Sequence, residues 1–279
     1  MSRASWLRDP LTLLRVANLQ SRFGSRARAF EKFARAGAVF EERGFLRKAI
    51  AAYARALDLA KEQTARWGGA QLDVALSLAR VQTEEGLLRD ARLTLIETRE
   101  RLIDDGRGES ALAAQVALVN LDPEETPERV RLAHLLASAG AGDAAADEYA
   151  TSVGQLFARG ESHKALPLLE RLLAQRPDPE HARLAAELYL ARGGDGDGVR
   201  ALSALKLCMR DEAESEGTLR VLATALRLAG DAARAVKVDR AVARLRRGVS
   251  DGRVRPVLES GERATSPSSR SIPLLLVAH

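Results

Sequence analysis

A glycine followed five residues later by an alanine recurs seven times along this chain of 279 residues, and this pattern constrains the fold more than any other feature. Glycine ends a helix easily because it adopts the left-handed conformation without steric cost. Three spacings between these glycines are 34, 36 and 34 residues, which is the length of a repeat made of two helices and a turn. The pattern therefore predicts a tandem array of helix pairs. The pairs are Gly44 with Ala49, Gly86 with Ala91, Gly106 with Ala111, Gly140 with Ala145, Gly160 with Ala165, Gly196 with Ala201, and Gly230 with Ala235.

The segments between the turn glycines have the composition of helices. They are rich in Ala, Leu, Arg and Glu, and their apolar residues recur at helical spacing. We therefore expect an all-α chain. Two further glycine spacings of 20 residues indicate a larger unit of about 53 residues that contains three helices. Gln82, Gln115 and Asp239 stand where this pattern expects bulky apolar residues. Twelve helices are predicted, at 26–43, 46–65, 70–85, 88–104, 108–121, 126–139, 142–158, 160–175, 178–192, 197–210, 215–229 and 231–247.

The first repeat, FEKFARAGAVFEERGFLRKAIAAYARAL, runs from Phe30 to Leu57 and resembles the tetratricopeptide repeat (TPR) family. Small residues at the helix contacts let two antiparallel helices approach, and aromatic residues fill the space between successive pairs. The resemblance covers about residues 26–247 and implies a TPR-like α-solenoid, similar to bacterial TPR scaffold proteins. Lys61 departs from the family, which often has proline there, so the second helix is expected to continue toward the Gly68-Gly69 break. The repeat-packing positions are Phe33, Gly37, Phe40, Gly44, Ala49, Tyr53 and Ala56.

Three regions are predicted from this pattern. Residues 1–25 contain a short amphipathic segment that caps the first repeat, residues 26–247 form the helical repeats, and residues 248–279 form a disordered tail rich in Ser, Gly, Pro and charged residues. The tail ends in the apolar run SIPLLLVAH, and three interpretations of that run stay open: a docking motif for another protein, a segment that folds back, or an end without a role. Its apolar residues are Ile272, Leu274, Leu275, Leu276 and Val277.

The sequence offers no arrangement of residues for catalysis or metal binding. Its four histidines do not share a helical face, and the single Cys208 excludes an internal disulfide or a cysteine-based zinc site. GGDGDG at 193–198 lacks the Lys-Ser/Thr ending of a phosphate loop and the terminal Glu of a calcium loop, so it predicts a turn between helices. We therefore expect a non-enzymatic protein with no cofactor and no metal.

The TPR resemblance implies a concave groove, lined by the first helix of each pair, that binds a partner protein or peptide. Arginines at these positions suit an acidic segment, although ordinary solvated arginines are an equal alternative. The carboxylate clamp of chaperone-binding TPR domains is not indicated, because Ala34, Ala38 and Leu76 replace its polar residues. The predicted partner-binding residues are Arg35, Arg80, Arg131, His134, Arg220 and Arg227.

The charge distribution supports a second candidate function. Residues 1–50 contain eleven Lys or Arg and four acids, and residues 234–255 contain eight and two, whereas the middle of the chain is acidic. Compositional bias explains this asymmetry most simply, but basic ends also suit nucleic acid. We consider nucleic-acid binding less favoured, because few aromatic residues are left to stack on bases. The residues concerned are Arg22, Arg26, Arg28, Arg35, Arg43, Arg47, Arg240, Arg244, Arg246 and Arg247.

The lengths of the uncharged stretches and the first residues of the sequence bear on the cellular location of the protein. They are well short of the roughly 18 residues that a membrane span needs, and the first residues do not resemble a secretory leader. We expect a cytoplasmic protein without membrane insertion. Membrane association is not indicated, although the short amphipathic N-terminal segment leaves contact with a membrane surface open. The sequence leaves the oligomeric state open.

Overall fold

The computed structural model describes residues 9–61, 68–208 and 215–246. Within these ranges the chain forms thirteen α-helices and one short 3-10 turn, with no strand, which confirms the all-α prediction. None of these helices is both long and apolar enough to cross a bilayer. The helices are α1 Pro10–Phe23, α2 Arg26–Glu42, α3 Leu46–Lys61, α4 Gly68–Glu84, α5 Leu88–Asp104, α6 Gly108–Leu121, α7 Thr126–Ser138, α8 Gly142–Ala158, α9 Leu166–Gln175, α10 Pro179–Arg192, α11 Asp197–Cys208, α12 Glu216–Leu228 and α13 Ala232–Arg246.

The chain divides into two compact units, Met1–Arg159 and Gly160–His279. The first unit contains α1 to α8, and the second contains the 3-10 turn Ser162–Lys164 and α9 to α13. This division falls inside the predicted 26–247 repeat region, where the sequence pattern gave no sign of it. The predicted tail at 248–279, with its apolar end, lies outside the described residues.

Six of the seven turn glycines end a helix, as their spacing predicts. All seven have a positive φ, for example 74° at Gly44, which is the left-handed conformation that ends helices. Gly196 is the exception, because Gly193 ends α10 and Gly196 directly precedes α11. After Gly44 the amide of Phe45 donates to the carbonyl of Phe40 at 2.9 Å, and equivalent bonds follow Gly86, Gly106, Gly140 and Gly230. The alanine five residues after each glycine is buried in every case. The glycine ends one helix and the alanine lets the next helix pack closely against its neighbours.

In the first unit the helices stack as antiparallel pairs in two layers. Each helix packs on the next one along the chain, and α4 also packs on α6. Ion pairs join other helices two apart: Lys61 on α3 lies 3.5 Å from Glu97 on α5, and Arg131 on α7 lies 3.6 Å from Glu100 on α5. One layer therefore contains α2, α4 and α6, and the other contains α3, α5 and α7. The predicted TPR-like pairing of helices is confirmed within this unit.

The second unit has a leucine-rich core of its own. Successive helices again pack on one another, and α10 also packs on α12. The core includes the fully buried side chains of Leu169, Leu172, Leu205, Leu219, Leu222 and Leu226.

Most predicted helix boundaries are correct to within two residues, and two predictions are wrong. Gly68 and Gly69 do not form a break, because both lie in the first turn of α4. The helix predicted at 160–175 is a 3-10 turn followed by α9, in which Pro167 occupies the first turn. Proline fits there because the first amides of a helix need no internal partner. Residues 62–65, predicted as the end of α3, lie outside the described residues.

The short N-terminal helix is present as α1. Asp9 caps it: its carboxylate accepts a hydrogen bond from the amide of Thr12 at 3.0 Å, and Pro10 occupies the first turn. Leu13 and Ala17 on one face of α1 are buried in the core that α1 shares with α2, α3 and α4.

Candidate functional site

The hairpin of α2 and α3 contains the repeat-packing positions. Gly37 lies directly against the ring of Tyr53, and a Cβ at position 37 would come within 2.6 Å of two ring carbons. Only glycine leaves room for this contact. The other helical positions of the set, Phe33, Phe40, Ala49, Tyr53 and Ala56, are all buried.

A short polar chain connects this hairpin to α4. The hydroxyl of Tyr53 donates to Glu41 Oε2 at 2.9 Å, and Arg80 pairs with the other oxygen of Glu41. Burial of the phenol and its hydrogen bond to Glu41 raise the pKa of Tyr53 above its ordinary value. Arg80, predicted as a partner-binding residue, therefore joins α4 to α2 in this structure.

The predicted partner-binding residues of the first unit do not share one surface. Arg80 lies in the layer of α2, α4 and α6, whereas Arg131 pairs with Glu100 in the layer of α3, α5 and α7. His134, one turn further along α7, places its ring 5.7 Å from the ring of Tyr149 on α8.

Arg35 differs from these residues because its exposed side chain has no ion pair within the described part of the chain. It lines a cleft of about 380 Å³ along α2, together with Ala38, Val39, Glu42 and Arg43. Arg35 is thus the predicted groove residue whose charge is available without breaking an existing ion pair.

In the second unit both predicted arginines have carboxylate partners. Arg220 lies 2.8 Å from Glu216, and Glu216 also accepts a hydrogen bond from Arg246 at 2.9 Å. Arg227 pairs with Asp239 on the next helix. Asp239, which the sequence pattern marked as out of place, therefore has an electrostatic partner.

The first unit also contains an apolar cleft that the sequence analysis did not predict. We call it the α6–α8 cleft; its volume is about 260 Å³. The polar part of its lining includes Arg129 and Glu148, which form an ion pair at 2.6 Å. An open, mostly apolar cleft with a few fixed polar groups is suited to receive apolar side chains of a partner. The apolar lining residues are Leu112, Val116, Val119, Leu132 and Leu136.

Hydrogen bonds to the α6–α7 connection hold this cleft in shape. The carbonyl of Pro123 accepts bonds from Arg129 at 3.0 Å and from Gln155 on α8 at 2.8 Å. Thr126 donates to Gln155 at 2.8 Å. The two sides of the cleft are therefore tied to each other through the connection between α6 and α7.

A buried polar network joins α5, α6 and α7. Arg99 is fully buried, and its Nη1 donates to Gln115 at 2.7 Å and to Glu128 at 2.9 Å. Gln115 in turn donates to the side chain and the backbone carbonyl of Glu128. A buried charge is tolerated only when it is paired and hydrogen-bonded in this way. Gln115, a polar residue in an apolar helix, was the sequence signal of the network, but nothing in the sequence connected it to Arg99.

The GGDGDG segment forms a turn, as predicted. Asp197 is buried at the start of α11 and accepts hydrogen bonds from Arg192 at 2.8 Å, from the amide of Gly194 at 2.9 Å and from Arg200 at 3.1 Å. The hydrogen bond from Arg192 is the main reason that the pKa of Asp197 is far below its ordinary value. A Cβ at Gly198 would lie 2.6 Å from the backbone nitrogen of Ala229, so α11 and α12 are in close contact here.

Several basic residues that suggested nucleic-acid binding are already paired with acids. Arg47 lies 3.2 Å from Glu85, and Arg246 lies 2.9 Å from Glu216. Arg247 lies outside the described residues, as does the side chain of Cys208. In the described part of the chain, no three His, Cys, Asp or Glu side chains are grouped as a metal ion would require.

No family model and no curated protein match this sequence. Solved structures do resemble it. The yeast Sti1 TPR2AB domain in complex with pHSP90 is 14% identical over 91% of this chain and 98% of that chain, with a TM-score of 0.34. BtubC (BKLC) from P. vanneervenii is 17% identical over 99% of this chain and 96% of its own chain, with a TM-score of 0.31. The TPR domain of P58(IPK) is 14% identical over 92% of this chain and 88% of its own chain, with a TM-score of 0.27. TPR proteins are thus among the structures this chain is similar to, and similarity at this level assigns it no partner or activity.

Proposed function

We propose that this chain is a non-enzymatic interaction scaffold, and that the α6–α8 cleft receives apolar side chains of a partner protein or peptide. The observation that carries the proposal is the cleft itself: five apolar side chains line an open space between helices that hydrogen bonds hold in place. A preformed site of this kind binds with little loss of conformational entropy in the protein.

The acidic partner expected from the sequence is a separate part of this proposal, because neither Arg35 nor Arg131 lines the α6–α8 cleft. Arg35 carries a charge with no ion pair within the described residues. Arg131 makes an exposed ion pair with Glu100, and exposed pairs contribute only about 0 to 1 kcal/mol each. Such an arginine can exchange its partner for an acidic group of a bound protein at small cost.

The proposal is tested by selecting peptides from a phage-displayed library on the full-length chain and measuring their affinities for two variants. Val116→Arg places a charge inside the cleft, on a side chain that is 40% exposed, so the fold should tolerate it. Val236→Arg is the matched control, because Val236 is 47% exposed on α13.

We expect the library to yield peptides with spaced apolar residues. These peptides should bind Val116→Arg at least tenfold more weakly than they bind the unchanged protein, since one buried charge costs more than about 1.4 kcal/mol. Binding to Val236→Arg should be unchanged. A library that yields no binders, or binders that Val116→Arg retains at full affinity, would contradict the proposal.

A further inference from the structure

The outer face of α1 combines exposed apolar side chains with unpaired arginines. Leu11, Leu19 and Phe23 are 53%, 61% and 85% exposed. At 100° per residue these three fall within about 120° of arc, and Arg15 and Arg22 lie in the same sector. Neither arginine makes an ion pair or hydrogen bond within the described residues. We call these five residues the α1 outer face.

This face takes no part in the packing of the first unit. The opposite side of α1, which includes Leu13 and Ala17, is buried against the core. The end of a stack of helices normally presents a polar surface to water. Three large apolar side chains at such an end therefore indicate a surface that is covered in the working protein.

The N-terminal segment that contains this face is strongly basic. Residues 1–28 contain six arginines, no lysine, no glutamate and one aspartate, Asp9. The carboxylate of Asp9 is occupied by the amide and hydroxyl of Thr12, at 3.0 Å and 2.6 Å. The cap of the helix thus uses the one acidic group in this region, and the arginine charges of the face have no acid close by in the sequence.

We propose that the α1 outer face binds peripherally to the surface of an anionic phospholipid bilayer. Arginines meet the phosphate groups, while the leucines and the phenylalanine enter the boundary between headgroups and acyl chains. An anionic lipid surface needs no shaped groove on the protein, and it favours a region that is rich in arginine and poor in acidic side chains. This contact is peripheral and does not span the membrane.

The experiment measures sedimentation of the full-length chain with vesicles of neutral phosphatidylcholine and with vesicles that also contain phosphatidylglycerol. We expect at least tenfold stronger binding to the anionic vesicles, and loss of this binding at high salt because the charges are screened. Equal binding to both vesicle types, or no binding to either, overturns the proposal.

Two double variants and their controls test the face itself. Arg15→Gln with Arg22→Gln should weaken binding about 25-fold, since each arginine near an anionic surface contributes about fivefold. Arg55→Gln with Arg89→Gln is the control, because these exposed arginines also lack partners within the described residues.

Leu19→Ser with Phe23→Ser should weaken binding about tenfold, since affinity scales with the apolar area inserted. Leu88→Ser with Leu93→Ser is its control, both residues being 54% exposed on α5.

Each control variant should bind vesicles as the unchanged protein does, and circular dichroism should show native helix content throughout. If the serine variant does not fold, Leu11→Gln with Leu19→Gln replaces it. Loss of binding in the arginine variant alone overturns the proposal, because the apolar residues would then have no part in it.

Sedimentation velocity provides a separate check of the proposal. If the unchanged protein is a dimer and the serine variant is a monomer, the face binds a second copy of the chain, and the proposal of lipid binding is overturned.

Discussion

Position 37 requires glycine because the ring of Tyr53 occupies the space where a Cβ would lie. The ring cannot move away easily, since its hydroxyl donates to Glu41 on α2 at 2.9 Å and Glu41 also pairs with Arg80 on α4. The absence of a side chain at Gly37 thus permits a set of contacts that joins α2, α3 and α4. The same reasoning applies at Gly198, where the opposing atoms belong to the backbone of α12 and its end.

We predict that Gly37→Ala destabilises the protein by about 1 to 3 kcal/mol, because overpacking a close contact forces the ring or the helix to shift. Urea unfolding measures the change. Gly154→Ala is the matched control: Gly154 lies within α8 with open space around it, and alanine there should stabilise the helix by up to about 1 kcal/mol. Equal stability of Gly37→Ala and the unchanged protein would show that the contact is looser than described.

A second prediction concerns alkaline pH. Burial and a hydrogen bond to Glu170 raise the pKa of Tyr189 from 10.0 to about 12, and the pKa of Tyr53 is raised for similar reasons. The folded chain holds these protons more tightly than the unfolded chain. For Tyr189 this contribution to stability is therefore complete below pH 10 and is lost as pH rises from 10 to about 12.

Urea unfolding at a series of alkaline pH values measures this loss. Tyr189→Phe removes the titrating group, so its stability should fall less steeply above pH 10. A Tyr189→Phe variant with the same alkaline slope as the unchanged protein would contradict the assignment.

At the scale of helices, polar contacts supplement the apolar packing around the cleft. Arg99 on α5, Gln115 on α6 and Glu128 on α7 form one buried network, so the three-helix unit predicted from the glycine spacing contains a polar centre. Buried ion pairs add little net stability compared with apolar residues, but losing one partner is costly. We expect the network to contribute more to the choice of one arrangement of α5, α6 and α7 than to net stability.

We predict that Arg99→Met destabilises the protein by about 3 kcal/mol, because Glu128 and Gln115 lose a buried hydrogen-bond donor. Arg92, which lies 3.6 Å from Glu128, keeps the loss from being larger. The triple variant Arg99→Met, Gln115→Leu and Glu128→Met should recover most of this loss, since no buried polar group is then left unpaired. Thermal or urea unfolding of both variants makes the comparison. A triple variant no more stable than the single one would contradict the role given to the network.

At the scale of the whole molecule, the chain divides into two compact units. The core of the first unit extends through α1 to α4 and continues in smaller clusters along α5 and α6. All residues that line the α6–α8 cleft belong to this unit. The structural requirements of the proposed site are therefore met within residues 1–159.

We predict that residues 1–159 fold on their own, with helical circular dichroism and a cooperative unfolding transition. A shorter fragment, 1–138, is the control, because it lacks α8 and with it the Arg129–Glu148 ion pair. It should be clearly less stable. Failure of the longer fragment to unfold cooperatively would show that the first unit depends on the rest of the chain.

The sequence predicts the helices far better than it predicts the candidate site. Turn glycines such as Gly44 and buried alanines such as Ala49 are local signals, because a few neighbouring residues determine where a helix ends and which face it buries. The division after Arg159 and the partners of Arg80 and Arg131 depend on residues on other helices. Helical periodicity contains no information on which carboxylate an arginine meets. The α6–α8 cleft was missed for the same reason, since its lining comes from three helices.

The most direct test of the central claim is amide hydrogen exchange of the full-length chain, with and without a peptide selected as described above. Binding in the α6–α8 cleft predicts slower exchange in α6, α7 and α8, together with the α6–α7 connection that holds the cleft. The same protection should be absent in Val116→Arg. Slower exchange confined to other helices, with α6, α7 and α8 unchanged, would contradict the claim that this cleft is the binding site.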